Sequence, residues 1–142
     1  MATLRYWSAF EVDLNGSRYS DGSRSAPVEK TVTQRAGGDI SLATATSLTL
    51  WDSSQAVTDF DFFWMICDKE LKVELTVDRG GTNGLEELVF VHPANTPFVL
   101  ADDAALANYS GTLSGGTADV IDEIIIRNES GDTATGTWWL FT

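Results

Sequence analysis

The strongest constraint on the fold comes from two neighbouring segments whose apolar residues follow the two-residue period of a β-strand. Leu71–Asp78 alternates apolar and polar side chains without a fault. That pattern predicts a strand with one face in a core and the other in water. The preceding segment, residues 59–67, begins with the same alternation and then becomes apolar on both faces. Together they predict a β-rich fold in which part of the sheet surface is covered on both sides.

Apolar residues on both strand faces recur in the tripeptide 124–126 and in the segment 138–141. A small sandwich has one interior, so we interpret part of this second apolar set as contact surface for other protein subunits. The candidates are the bulky side chains of the N-terminal strand, the central apolar strand and the C-terminal strand. They are Tyr6, Trp7, Phe10, Phe63, Met65, Trp138 and Phe141. In a regular last strand Trp138 and Trp139 point to opposite faces, so one ring is expected inward and the other outward.

Short strands separated by turn residues predict an all-β fold, a single antiparallel β-sandwich that is jelly-roll-like, with at most one short helix. The helix candidate is 101–107. Glycine-containing turns are expected at 36–38, 79–84, 114–116 and 128–132. The strand candidates are 3–9, 28–34, 40–51, 59–67, 71–78, 87–92, 96–100, 107–113, 120–127 and 135–141. Residues 40–51 form either two strands or one strand bent near Thr44, and alternation alone leaves the strand order open.

The chain has 142 residues, which predicts one sandwich domain over 1–142. Residues 11–27 are rich in Ser, Gly, Asp and Arg, and we interpret them as a long polar loop or an arm that orders on a neighbour.

Lys and Arg number 9 against 21 Asp and Glu, a net charge of −12. Such a chain repels phosphate backbones, so no nucleic acid partner is expected. No secretion signal and no apolar membrane span is recognisable, so no membrane partner is expected either. The one cysteine, Cys67, cannot form an internal disulfide and is predicted to be a small buried apolar residue.

No motif in the sequence indicates catalysis, a metal or a cofactor, and we predict a protein that is not an enzyme. His92 is the one histidine, and no nucleophile motif lies near it. Neighbouring acids such as Asp59 and Asp61 are expected to be solvated, although pairs of this kind suit calcium or glycoside hydrolysis in other folds.

The stretch 124–139, Ile-Ile-Ile-Arg-Asn-Glu-Ser-Gly-Asp-Thr-Ala-Thr-Gly-Thr-Trp-Trp, resembles terminal hairpins of small β-sandwich virion proteins of tailed bacteriophages. The acidic composition and the Gly/Thr/Ser-rich turns are similar too. Within that group the chain looks most like capsid decoration, or cement, proteins. The resemblance implies a virion structural protein on the capsid exterior, assembled in the host cytoplasm. It also implies a homo-oligomer, with a trimer favoured, that binds a major capsid protein and stabilises the shell.

The alternative is a carbohydrate-binding or receptor-binding β-sandwich module, lectin-like or part of a tail fibre. Exposed tryptophans stack sugar rings, and Trp7, Trp51, Trp138 and Trp139 are the rings available for it. A glycan is the partner expected under this alternative.

Overall fold

A computed structural model of the chain describes residues 2–6, 9–14, 17–22, 28–78, 85–100 and 120–142. The chain divides into two compact units, Met1–Thr33 and Gln34–Thr142, where the sequence predicted one domain. The described residues of both units are built from β-strands and turns, and they contain no helix. The all-β prediction is therefore confirmed for this part of the chain. The predicted helix 101–107 and strand 107–113 lie outside it.

The N-terminal unit contains two pairs of antiparallel strands. Strand β1 (Ala2–Tyr6) pairs with β4 (Val28–Val32), and β2 (Ala9–Leu14) pairs with β3 (Ser17–Gly22). The polar loop predicted for 11–27 is wrong over β2 and β3. Apolar and acidic residues alternate along β2, and the sequence Asn15-Gly16 between the strands is a strong hairpin signal. Residues 23–27 lie outside the described part.

The described residues of the second unit form two four-stranded antiparallel sheets. Sheet I has the order β10-β7-β12-β5 and sheet II the order β6-β11-β8-β9. The strand bounds, in chain order, are β5 Arg35–Leu42, β6 Thr46–Asp52, β7 Phe62–Cys67, β8 Leu71–Asp78, β9 Leu85–His92, β10 Phe98–Leu100, β11 Val120–Asn128 and β12 Ala134–Phe141.

These eight strands pair as one long hairpin folded across two sheets. The innermost pair is β8–β9, followed outward by β7–β10, β6–β11 and β5–β12. The additional pairs β7–β12 and β8–β11 complete the two sheets. Apart from the β8–β9 connection, each step along the chain passes from one sheet to the other. This is the arrangement of a jelly roll, in which a wrapped hairpin forms a double-sheet sandwich.

The core lies between the sheets and contains the alternate residues of each strand. Strand β8 contributes Leu71, Val73 and Leu75, which are at most 2% exposed. This is the inward face that its alternation predicted, and the strand bounds match the prediction. The opposite sheet contributes Phe63 and Leu140, which have no exposed surface. The core also contains aromatic rings: Trp51 and Phe60 pack edge to face, with their ring centroids 5.0 Å apart. The Trp51 Nε1–H donates to the carbonyl of Val57 at 2.8 Å.

The structure confirms one of the two alternatives predicted for 40–51 and contradicts the turn predicted at 36–38. Residues 40–51 divide into the end of β5 and β6, joined by a turn in which Ala45 has a positive φ of 59°. The hairpin tip predicted at 36–38 is wrong, because Gly37 and Gly38 lie inside β5. Gly37 has a φ of 151°, and a Cβ there would lie 2.5 Å from Trp138 O and from Trp139 Cε3. This close approach to β12 explains why residue 37 is a glycine.

Candidate interaction surface

The outward side of sheet I carries an apolar surface centred on β7 and β12. Along β7, Phe63 and Met65 point into the core with no exposure, so Trp64 and Ile66 point outward and are partly exposed. Trp139 of β12 stands directly opposite Trp64.

The same row continues onto β10, where Val99 pairs with Trp64 and is 47% exposed. Phe141 stands opposite Phe62, with their ring centroids 6.4 Å apart. We name the outward set Trp64, Ile66, Val99, Trp139 and Phe141 the aromatic face.

Backbone shape and one cation hold Trp139 in this face. Its strand neighbour on β5 is Gly37, whose missing side chain leaves room for the indole. The Arg35 guanidinium lies 5.6 Å from the ring centroid, a cation–π distance. The indole is therefore supported from two sides while its remaining surface stays accessible.

The predicted contact residues fall into three groups. Phe141 lies on the aromatic face. Trp138 points inward, with its ring centroid 6.1 Å from that of Phe63, and that corrects its assignment as a contact residue. Trp139 points outward, so the two neighbouring tryptophans do face opposite sides, as predicted. Phe63 and Met65 are fully buried within this chain, and that corrects their assignment as contact residues. The physical reason is parity: in β7 the odd-numbered residues face the core.

The remaining three candidates lie on the N-terminal unit. Tyr6 ends β1 and Phe10 lies in β2, with side chains outside the described part, and Trp7 is wholly outside it. The sequence analysis missed Trp64, Ile66 and Val99. The two-residue period of a strand puts Trp64 and Ile66 on one face of β7 and Phe63 and Met65 on the other. The sequence did not show which of these two faces points into the core.

The outward side of sheet II carries two ion pairs on or beside β8 and β11. Glu74 is 6% exposed and accepts two hydrogen bonds from Arg127, at 2.9 and 3.1 Å. These bonds hold the pKa of Glu74 below its ordinary value and raise the pKa of Arg127. The Nζ of Lys72 lies 3.5 Å from Oε1 of Glu129. The outward side of sheet II thus combines these ion pairs with Val89 and Val91 of β9, which are 45% and 61% exposed.

His92 and Cys67 carry side chains capable of acid–base or nucleophilic chemistry, but both are buried and contact backbone carbonyl groups. His92 is buried, its Nε2 lies 2.7 Å from the carbonyl oxygen of Thr96, and its ring packs edge to face on Phe98. Cys67 is a free buried thiol, as predicted, and burial raises its pKa. Its Sγ lies 3.2 Å from the carbonyl of Thr135.

The described residues contain no group of three or more His, Cys, Asp or Glu side chains able to hold a metal ion. A depression of about 270 Å³ is lined by Glu70, Leu71, Lys72, Val91, Glu129 and Ser130. Its lining includes two carboxylates and one ammonium group but no histidine or cysteine.

No protein-family model, no curated protein and no solved structure matches this chain. Within the part of the chain that the structure describes, no helix is long and apolar enough to cross a membrane.

Proposed function

We propose that the chain is a non-enzymatic virion structural protein that oligomerises and binds the outer surface of a phage capsid, where it stabilises the shell. The observation that carries this proposal is the aromatic face. Two tryptophans, a phenylalanine, an isoleucine and a valine stand together on the outward side of sheet I, whereas the central strands of sheet II carry an ion pair on their outward side. Contiguous exposed apolar surface is typical of protein–protein contact sites.

The magnitudes favour a lattice of contacts over one isolated contact. Full burial of a large apolar side chain contributes about 1.5–3 kcal/mol, and the residues of this face are already partly buried. Association costs roughly 4–15 kcal/mol in lost freedom. Several subunits bound to one shell share that ordering cost, so modest individual contacts give firm attachment.

The charge supports an exterior location. At −12 the chain is repelled by packaged DNA, and the same charge keeps a protein with exposed aromatic rings soluble. The trimer and the major capsid protein as partner follow from the resemblance of 124–139 to virion proteins.

A pair of isoleucines provides the test. Ile66 lies on the aromatic face and Ile125 lies outward on sheet II, and both are partly buried. Ile66→Ser should weaken binding to purified shells at least about tenfold in a co-sedimentation assay, because it places a hydroxyl in an apolar contact. Ile125→Ser, with the same chemical change, should leave binding close to wild type. Equal binding by all three proteins, or no binding by wild type, would contradict the proposal.

The second candidate is a carbohydrate-binding or receptor-binding module, and the adjacent rings of Trp64 and Trp139 favour it. Two neighbouring indoles on a sheet form a platform on which sugar rings stack. A glycan array separates the candidates: glycan binding that disappears in Trp139→Ala, with no affinity for shells, would select the second.

A further inference from the structure

Among the described strands, β9 forms an edge of sheet II. Among the described strands it pairs only with β8, over eight residues in unbroken register. Its outward residues Val89 and Val91 are 45% and 61% exposed. A long strand edge with exposed apolar side chains is a template for pairing with another strand.

The other three edges of the two four-stranded sheets are less suited to such pairing. Strand β10 has three residues. Strand β6 contains a register irregularity opposite Ile124 and Ile125, which bends the edge. Strand β5 carries Arg35 and Asp39 on its outward side. Within the described residues, β9 combines length, regular register and exposed apolar side chains.

We propose that β9 pairs antiparallel with β9 of a second copy of this chain, with Phe90 opposite Phe90 of the second copy. In this register Val89 faces Val91 of the other copy, and the symmetry repeats the contact. Directly opposite residues in an antiparallel pair point to the same face of the sheet, so four valines meet on one side. Sheet II then continues across both molecules.

Charge selects this register and this orientation. The sequence of β9 places Glu86 and Glu87 near its start and His92 at its end. In the antiparallel pair centred on Phe90, Glu87 faces Pro93 of the second copy, and the acids of the two copies lie at opposite ends. A parallel pair would align Glu86 and Glu87 with their own copies, and like charges directly opposite are destabilising. Centring the pair on Val89 would place Glu87 against Val91 and replace the two Val89–Val91 contacts by a single Val89–Val89 contact.

This contact lies on a different sheet from the aromatic face and stands independently of the proposed function. It is two-fold and isologous, so it closes after two copies. The resemblance to decoration proteins implies three copies, and the mass of the assembly distinguishes the two.

Cysteine pairing tests the register. Opposite residues in an antiparallel pair have Cα atoms about 4.5–5.5 Å apart, within the range for a disulfide. The native Cys67 is 3% exposed and gives little background. Under mild oxidation, a mixture of Val89→Cys and Val91→Cys proteins should form covalent dimers several times faster than either protein alone. Thr49→Cys, on the opposite edge of sheet II, is the control and should stay monomeric. Faster pairing of Val89→Cys with itself, or equal pairing by the control, would overturn the proposal.

A lysine variant tests the association without a disulfide. Val89→Lys should raise the dimer dissociation constant, measured by sedimentation equilibrium, at least about tenfold, because edge lysines oppose strand pairing. Leu48→Lys on β6, the opposite edge of sheet II, is the matched control, since Leu48 is also an exposed apolar residue, 36% against 45%, and the charge change is identical. Wild type that stays monomeric at high micromolar concentration, or equal effects of the two variants, would overturn the proposal.

Discussion

Asn128 joins the two sheets of the sandwich through one side chain. It is fully buried at the end of β11 in sheet II, and its Nδ2 donates to the carbonyl of Leu42, the last residue of β5 in sheet I. The same nitrogen donates to the carbonyl of Asp132, and Oδ1 accepts from the Ser130 N–H and hydroxyl. The amide is thus satisfied on both of its ends. This burial leaves the Asn-Glu-Ser sequence at 128–130 closed to glycosylation in the folded chain.

Asn128→Ala should lower the free energy of unfolding by about 1–3 kcal/mol, because it removes the buried hydrogen bond from the side-chain amide to the carbonyl of Leu42. Ser130→Ala is the comparison: it removes a partly exposed hydroxyl and should cost about 0.5–1.5 kcal/mol. Urea unfolding at pH 7 measures both. If Asn128→Ala were no more destabilising than Ser130→Ala, the amide would not tie the sheets together.

Gly136 lies where β12 passes closest to β7. A Cβ at this position would overlap the carbonyl oxygen of Ile66 and lie 2.9 Å from the Cα of Cys67. Gly136→Ala should therefore destabilise the protein by about 1–3 kcal/mol, the usual cost of overpacking. Gly38→Ala on β5 meets nothing within 4 Å and should change stability by less than about 0.5 kcal/mol. Thermal unfolding of the two variants provides the comparison.

At the scale of elements, the hydrogen-bonded ion pair between Glu74 and Arg127 links β8 to β11. The pKa of Glu74 is lowered by hydrogen bonds from Arg127, so the folded state binds its proton less readily than the unfolded state. The pair therefore stabilises the fold above the ordinary glutamate pKa of about 4.3, and this contribution is lost as the pH falls through the lowered value.

Glu74→Gln should lower the urea midpoint at pH 7, and the difference from wild type should shrink as the pH falls below about 4. Other carboxylates also titrate in this range, so the quantity to compare is the difference between the two proteins. Glu123→Gln on β11 makes the same charge change on a partly exposed side chain and serves as the control. A difference from wild type that stayed constant from pH 7 to the acid limit would contradict this account.

The sequence predicts strands best where each residue has a clear inside or outside. Strand β8 was located to the residue because its alternation has no fault, and β11 and β12 were located to within one residue. The sequence predicted the break between β5 and β6 only as one of two alternatives for residues 40–51. The turn there has Ala45 at positive φ, where a glycine or asparagine would have been a clear turn signal. Gly37 misled the prediction because a glycine that makes room for Trp139 looks, in sequence, like a turn glycine.

At the scale of the whole molecule, the class of fold followed from local patterns, but the pairing of strands did not. Strands β5 and β12 lie about a hundred residues apart in sequence and pair along their full length, with Arg35 opposite Phe141. Nothing local to either strand specifies that partner. The aromatic face depends on long-range pairing of the same kind, since the pairing of β12 with β7 sets Trp139 beside Trp64. An apolar contact surface and its member Phe141 were therefore expected from the sequence, whereas Trp64, Ile66 and Val99 were not.

The division into two units predicts that Gln34–Thr142 folds without the first 33 residues. Each member of the buried core cluster, from Ile40 to Leu140, lies in this unit, and so do both four-stranded sheets. The fragment should unfold in urea in one cooperative transition, because a two-sheet core of this kind supports two-state behaviour. A shorter fragment ending at residue 133 is the control. It lacks β12, a central strand of sheet I, and with it Leu140 and the partners of β5 and β7. That fragment should show no cooperative transition, and a gradual unfolding of Gln34–Thr142 itself would mean that the first unit is needed for the core to form.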